Sequence, residues 1–188
     1  AVQTMERMAD KAVDGEEVII CPLPLYHIYA FTVNMISFFG SGNLNVLIPN
    51  PGDITGFVNS IKPFKFSGFS GINTLFVGLC MSAEFKRLDF SNLKFTFSGG
   101  AALTSDAVNV WQDVTGSSIS EGYGLTETAP VLCCNKPGSE EIGTVGAPLI
   151  STDIQIWDDQ DRPVAPGEEG QIVAKGPQVM KGYWNRPQ

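Results

Sequence analysis

The chain has 188 residues, 43% of them hydrophobic and 17% charged, and carries a formal net charge of -8. That composition describes a globular protein or a part of a larger one and excludes a disordered chain. The acidic balance, with Lys and Arg scattered, argues against a nucleic-acid-binding surface, although a bound nucleotide needs only a few local donors.

The first residues, up to Glu17, are polar and read as helical, with no signal peptide. Glu17 to Cys21 is a β-branched run ended by Pro22, a buried strand leading into a loop. Tyr26 to Phe39 is apolar on most sides and reads as a buried helix; its apolar stretch, Ile28 to Phe39, is too short to span a bilayer and is closed by Gly40-Ser41-Gly42-Asn43. Leu44 to Ile48 is a second strand, and Asp53 is placed to cap a helix through Ile61 that stops near Pro63. Phe66 to Gly71 reads as a strand, followed by an apolar helix from Asn73 to Phe85.

Leu93 to Phe97 is the next strand and runs into Ser98-Gly99-Gly100-Ala101-Ala102. In the helix that follows, Ala107, Val108, Trp111 and Val114 recur at helical spacing, Trp111 reads as core, and Gly116 is placed as the C-cap. Ser118 to Glu121 is a strand that delivers the chain into Gly122-Tyr123-Gly124. Strands and helices alternate to this point, which predicts an α/β fold with a mostly parallel sheet and flanking helices. A ligand is then expected beyond the carboxyl ends of the strands, where both glycine-rich segments lie.

After Pro130 the texture changes. Asp153 to Trp157 alternates strictly, Asp158-Asp159-Gln160-Asp161 is a turn, and Gly170 to Lys175 is a further strand. The reading is an α/β portion over 1–130 and a small antiparallel β subdomain over 131–188, with Trp157 and Trp184 as its packing residues. Cys21, Cys80, Cys133 and Cys134 show no metal-ligand spacing and read as reduced thiols of a cytoplasmic protein.

The densest chemistry lies in Glu121-Gly122-Tyr123-Gly124-Leu125-Thr126-Glu127. A tyrosine ring offers a stacking face, the glycines let backbone amides approach a ligand, Thr126 can donate to a phosphate oxygen, and Glu127 is a hard ligand for Mg²⁺. The plainer reading is a glycine-rich turn ending a strand, with Thr126 capping the next segment. His27, the only histidine, reads on its own as a structural hydrogen-bonder.

Four blocks taken in order resemble the adenylate-forming superfamily, and within it the long-chain fatty-acid–CoA ligases. Pro22 to Ile28 resembles the gate motif, Ser98 to Leu103 the glycine-rich nucleotide and acyl-pocket segment, and Glu121 to Glu127 the adenine motif. Gly170 to Pro187 resembles the segment that closes the large N-terminal domain.

The resemblance implies ATP-dependent activation of a fatty acid to an acyl adenylate and transfer of the acyl group to coenzyme A, with Mg²⁺ as cofactor. Tyr123 would stack on adenine, while backbone from Gly99, Gly100, Ala101, Glu121, Gly122 and Gly124 would line the nucleotide. Thr126 would hold the α-phosphate and Glu127 the Mg²⁺. His27 would orient the acyl carboxylate, and Phe31, where some members carry a tunnel-closing Trp, would lie at the acyl gate.

The resemblance further implies that a phosphate-gripping loop precedes Ala1 and that a ribose-binding Asp and a small domain with a catalytic Lys follow Gln188. These 188 residues are then the middle of a ligase and are expected to be inactive alone. Two other readings stay open: a ligase activating aryl or amino acids, and a non-catalytic nucleotide-binding domain of the same fold. Homodimerisation and peripheral contact with the inner face of a membrane are also left open.

Overall fold

β-Branched side chains favour a pleated backbone, and Val18–Cys21 (β1) forms the strand expected of it. The computed structural model describes residues 1–186. Around β1 lie Leu44–Leu47 (β2), Gly68–Gly71 (β3), Phe95–Ser98 (β4), Ile119–Gly124 (β5), Val131–Cys134 (β6) and Ala147–Pro148 (β7). They form one seven-stranded sheet in the order β2-β1-β3-β4-β5-β6-β7. The first five strands are parallel, and β6 and β7 join antiparallel. The sheet therefore continues past Pro130 before the chain enters a separate two-stranded ribbon, Asp153–Trp157 (β8) with Gln171–Lys175 (β9).

A parallel sheet needs cover on both faces, and alternation along each strand supplies apolar groups to both. Ile20 and Phe69 face one cluster, with Phe57 and Ile61 of helix Ile54–Ile61 (α3), Phe76 and Leu79 of Asn73–Met81 (α4), and Trp111 of Ser105–Thr115 (α5). Ile19 and Phe95 face the other, with Met8 of Val2–Met8 (α1) and Tyr29, Val33 and Phe38. Trp111 is the centre of the first cluster. It is fully buried, crosses the rings of Phe69 and Phe76 at 5.1 and 4.8 Å between centroids, and donates its indole N–H to Thr96 Oγ1 at 3.2 Å.

The helix ends follow local chemistry. Asp53 Oδ1 accepts from the Gly56 amide at 3.0 Å, and Thr104 Oγ1 accepts from that of Ala107 at 3.3 Å. Gly116 closes α5 at φ 72°, the left-handed conformation that glycine adopts without steric cost.

Three helices and one tryptophan differ from expectation. The amino-terminal helix stops at Met8 rather than running to Glu17. The helix expected over Tyr26 to Phe39 begins as a short α-turn, Ile28–Ala30 (α2), and widens into π-helical turns over Phe31–Phe39. The added residue per turn rotates its faces, so Thr32, Asn34 and Ser37 are buried while Phe31, Met35, Ile36 and Phe39 are exposed. Ser37 Oγ donates to the Thr32 carbonyl at 2.8 Å, and Asn34 and Asn45 exchange hydrogen bonds.

α4 stops at Met81 because Ser82 turns to an extended conformation, and Phe85 is carried by a separate 3₁₀ turn. Trp184 is 91% exposed and packs no subdomain, while Trp157 is half-buried on β8. Among the described residues no helix is long and apolar enough to cross a membrane.

Candidate active site

The parallel register of β4 and β5 sets Ser98 beside Glu121, so the glycine-rich segment after β4 lies against Gly122 of β5. The two segments are thus brought together at the carboxyl ends of neighbouring strands, as the alternation predicts. There they open on a cavity of about 300 Å³. Gly99, Gly100, Gly122, Tyr123, Gly124, Thr126, Glu127 and His27 all line it.

The expected loop Gly122-Tyr123-Gly124 is the end of β5 itself, hydrogen-bonded to β6 with a shift of register between Tyr123 and Gly124. That shift brings Gly124 against the backbone of Pro130, so a Cβ at this position would collide with the Pro130 carbonyl oxygen. Gly100 sits at φ +85° with open space around it, so its need for glycine is conformational.

After β5 the chain makes a single 3₁₀ turn, Thr126–Thr128. The cap belongs to buried Thr128, not to Thr126. Its Oγ1 accepts from the Leu125 amide at 2.8 Å and reaches the Pro130 carbonyl at 2.7 Å. Thr126 is exposed, and among the described residues its hydroxyl has no protein partner, so it is free to donate to a ligand.

The carboxylate of Glu127 accepts from the Tyr183 hydroxyl, and its carbonyl accepts from the Met180 amide at 2.8 Å. The tyrosine bond is the main reason that the carboxyl lies below the ordinary glutamate range, so it is ionised at neutral pH. Among the described residues there is no cluster of three or more His, Cys, Asp or Glu side chains suited to a metal. A lone ionised carboxylate nonetheless fits Mg²⁺, which is commonly held by one or two carboxylates together with substrate phosphates and water.

His27 caps α2. The Tyr29 amide donates to its Nδ1 at 3.2 Å, so the neutral ring carries its proton on Nε2 and offers a donor there. His27, Ile28 and Thr126 also border a second hollow of about 650 Å³, lined by Leu25, Tyr26, Phe31 and Met35. Phe31 therefore belongs to the neighbouring apolar hollow rather than to the first cavity. Ala101 and Glu121 line neither. Glu121 works inside the protein: its carboxylate accepts from the Leu103 amide at 3.0 Å and fastens the loop after β4.

Several lining residues carried no signal in the sequence. Thr4, Arg7 and Met8 come from the outwardly ordinary polar helix α1, and Arg7 is anchored to the Pro148 carbonyl at 2.6 Å. Tyr29 is buried on the cavity wall, with its ring against Gly99, and burial raises its hydroxyl pKa. Tyr183 was visible only as part of the closing block. That block's last residue, Pro187, lies outside the described residues.

A glycine-cradled cavity at the ends of parallel strands, bearing a tyrosine ring, a free hydroxyl and an ionised carboxylate, is an α/β-domain site whose groups suit a nucleotide. The family model described as AMP-binding enzyme matches residues 1–184, and the chain belongs to that family. It is similar to the long-chain-fatty-acid–CoA ligase of Salmonella typhimurium, 44% identical over 174 residues that cover 92% of this chain and 31% of that protein. The ligase of the same name from Haemophilus influenzae is 43% identical over 170 residues, 90% of this chain and 30% of that protein. The chain thus spans under a third of the length of these relatives. In fold it is similar to the anthranilate CoA ligase AuaEII in complex with anthranoyl-AMP, with a TM-score of 0.89 at 22% identity over 98% of this chain and 36% of that one.

Proposed function

We propose that the protein carrying this chain activates a long-chain fatty acid with ATP and transfers the acyl group to coenzyme A. The observation that carries the reading is the junction of the cavity that holds Thr126 and Glu127 with the apolar hollow at His27, Ile28 and Thr126. It sets phosphate-binding chemistry beside space for an alkyl chain. The similarity to long-chain-fatty-acid–CoA ligases supports the same substrate class.

In the first step a carboxylate oxygen of the acid attacks the α-phosphorus of ATP and pyrophosphate leaves. In the second the thiol of coenzyme A attacks the acyl carbon, loses its proton and expels AMP. No residue of the protein becomes covalently attached.

The tyrosine ring of Tyr123 stacks on adenine, and main chain from Gly99 to Ala101 and from Glu121 to Gly124 borders the nucleotide. Thr126 donates to an α-phosphate oxygen, steadying the charge that develops there. His27 presents Nε2–H to the acyl carboxylate and holds it for attack. It need not act as a base, because a fatty acid is already ionised at neutral pH. Phe31 borders the entry of the chain. Mg²⁺, when bound, neutralises charge on the phosphate oxygens, and Glu127 is the residue that would hold it.

Residues 1–130 and 131–188 form two parts of one AMP-binding domain in this reading. The whole protein works in the cytoplasm, and any contact with a membrane is peripheral. In that protein, Glu127→Ala should lose most ATP–pyrophosphate exchange while the circular dichroism and melting curve stay those of the wild type. Wild-type exchange in the variant would overturn the assignment of Glu127, and a panel of acids in which aryl or amino acids outrun long-chain acids would overturn the substrate class.

A further inference from the structure

Tyr183 has no part in the chemistry above, yet its hydroxyl donates to Glu127 Oε1 across 56 positions of sequence. The same glutamate is gripped a second time, by the Met180 amide on its carbonyl oxygen at 2.8 Å. Burial does not bring the tyrosine there, since Tyr183 is 61% exposed and Trp184 beside it 91%. Polar anchors do. Gln178 donates to the Val131 carbonyl at 3.2 Å and to Thr152 Oγ1 at 2.8 Å, and the Arg186 amide closes a turn on the Tyr183 carbonyl at 3.2 Å. The segment after β9 is thus fastened next to β6 and directed back onto Glu127.

We propose that Tyr183 is a positioning residue for the metal-binding carboxylate, holding Oε1 so that Oε2 faces the phosphates. The proposal rests on the reading of Glu127 given above. A glutamate on a one-turn 3₁₀ helix, only partly buried, has three side-chain torsions, and fixing such a side chain carries a substantial entropy cost. A donor already bound to one oxygen meets part of that cost before the ligand arrives. A donor that merely competed with the cation for Oε1 would have the opposite effect. The sign of the effect on Mg²⁺ therefore decides the matter.

The test is Tyr183→Phe in the whole protein, which removes one hydroxyl from an exposed ring. Half-saturating Mg²⁺ for ATP–pyrophosphate exchange should rise roughly three- to tenfold, in the range of one solvent-exposed hydrogen bond to a charged group, with a smaller change in kcat at saturating Mg²⁺. By calorimetry, ATP binding in the presence of Mg²⁺ should weaken by a similar factor, while ATP binding in EDTA should not change. On a Glu127→Gln background, Tyr183→Phe should then have little further effect on either readout.

Unchanged or tighter Mg²⁺ dependence in Tyr183→Phe, or additive effects of the two substitutions, would overturn the proposal. If Glu127→Gln itself leaves the Mg²⁺ dependence unchanged, the metal assignment fails instead. If Glu127→Gln shifts it and Tyr183→Phe does not, only the role of Tyr183 fails.

Discussion

Replacing Gly124 and Gly99 separately by alanine distinguishes a glycine that the fold needs from one that the ligand needs. At Gly124 a Cβ would meet the Pro130 carbonyl oxygen head-on and lie 3.0 Å from the Val131 Cα. Both obstacles are backbone, so no side-chain rotation relieves them. β5 and β6 must part instead, by on the order of 1 Å to restore ordinary contact distances. Overpacking of this kind costs about 1–3 kcal/mol. The residues displaced with the strand end are Thr126 and Glu127, and a misplacement of about 1 Å at a reacting centre costs on the order of 100-fold in rate.

In the whole protein, Gly124→Ala is therefore expected to lower ATP–pyrophosphate exchange about 100-fold, together with a lower urea midpoint. At Gly99 the added Cβ would lie 3.5 Å from both the Gly122 carbonyl oxygen and the Tyr29 ring, which is ordinary van der Waals contact. The backbone there lies outside the left-handed region, so Gly99→Ala should leave stability unchanged or raise it by about 0.4–1 kcal/mol through the unfolded state. Its methyl group borders the cavity, so ATP affinity should still fall. Urea unfolding and nucleotide titration of the two variants check the contrast. Wild-type exchange and a wild-type midpoint in Gly124→Ala would refute the reasoning.

The buried carboxylate of Glu17 should make stability depend on pH in a defined direction. Burial raises its pKa, but Lys94 at 2.8 Å and the Val13 amide at 2.8 Å outweigh this and hold it below the ordinary value of 4.5. A depressed folded pKa contributes stability above that value and loses it as pH falls through the folded pKa. Lys94→Met should cost about 2 kcal/mol near pH 7, less than the full value for a buried pair because the Lys94 side chain is 38% exposed. The gap between variant and wild type should shrink below pH 4.5 in urea melts, and a gap that stays constant to pH 3.5 would contradict the pairing. For the cysteines, burial pushes the thiols of Cys21, Cys80 and Cys134 up to about 11. Native protein at pH 7.5 should resist iodoacetamide at these positions and react once unfolded, as read by mass spectrometry.

The sequence by itself carried the α/β alternation, the caps at Asp53 and Gly116, and the residue types of Tyr123, Thr126 and Glu127. These are local: apolar periodicity, a short side chain that reaches its own backbone, and residue types suited to phosphate or metal. Only the tertiary structure decided the sheet order that sets Ser98 beside Glu121 and joins two glycine segments into one cavity. It also decided that Thr128, not Thr126, caps the turn, that Glu121 ties a loop, and that Tyr183 returns over 56 residues to Glu127. The π-helical turns that expose Phe31 and Phe39 escaped the sequence for a related reason. A helical period predicts which residues share a face, but which face is buried depends on what the rest of the chain packs against it.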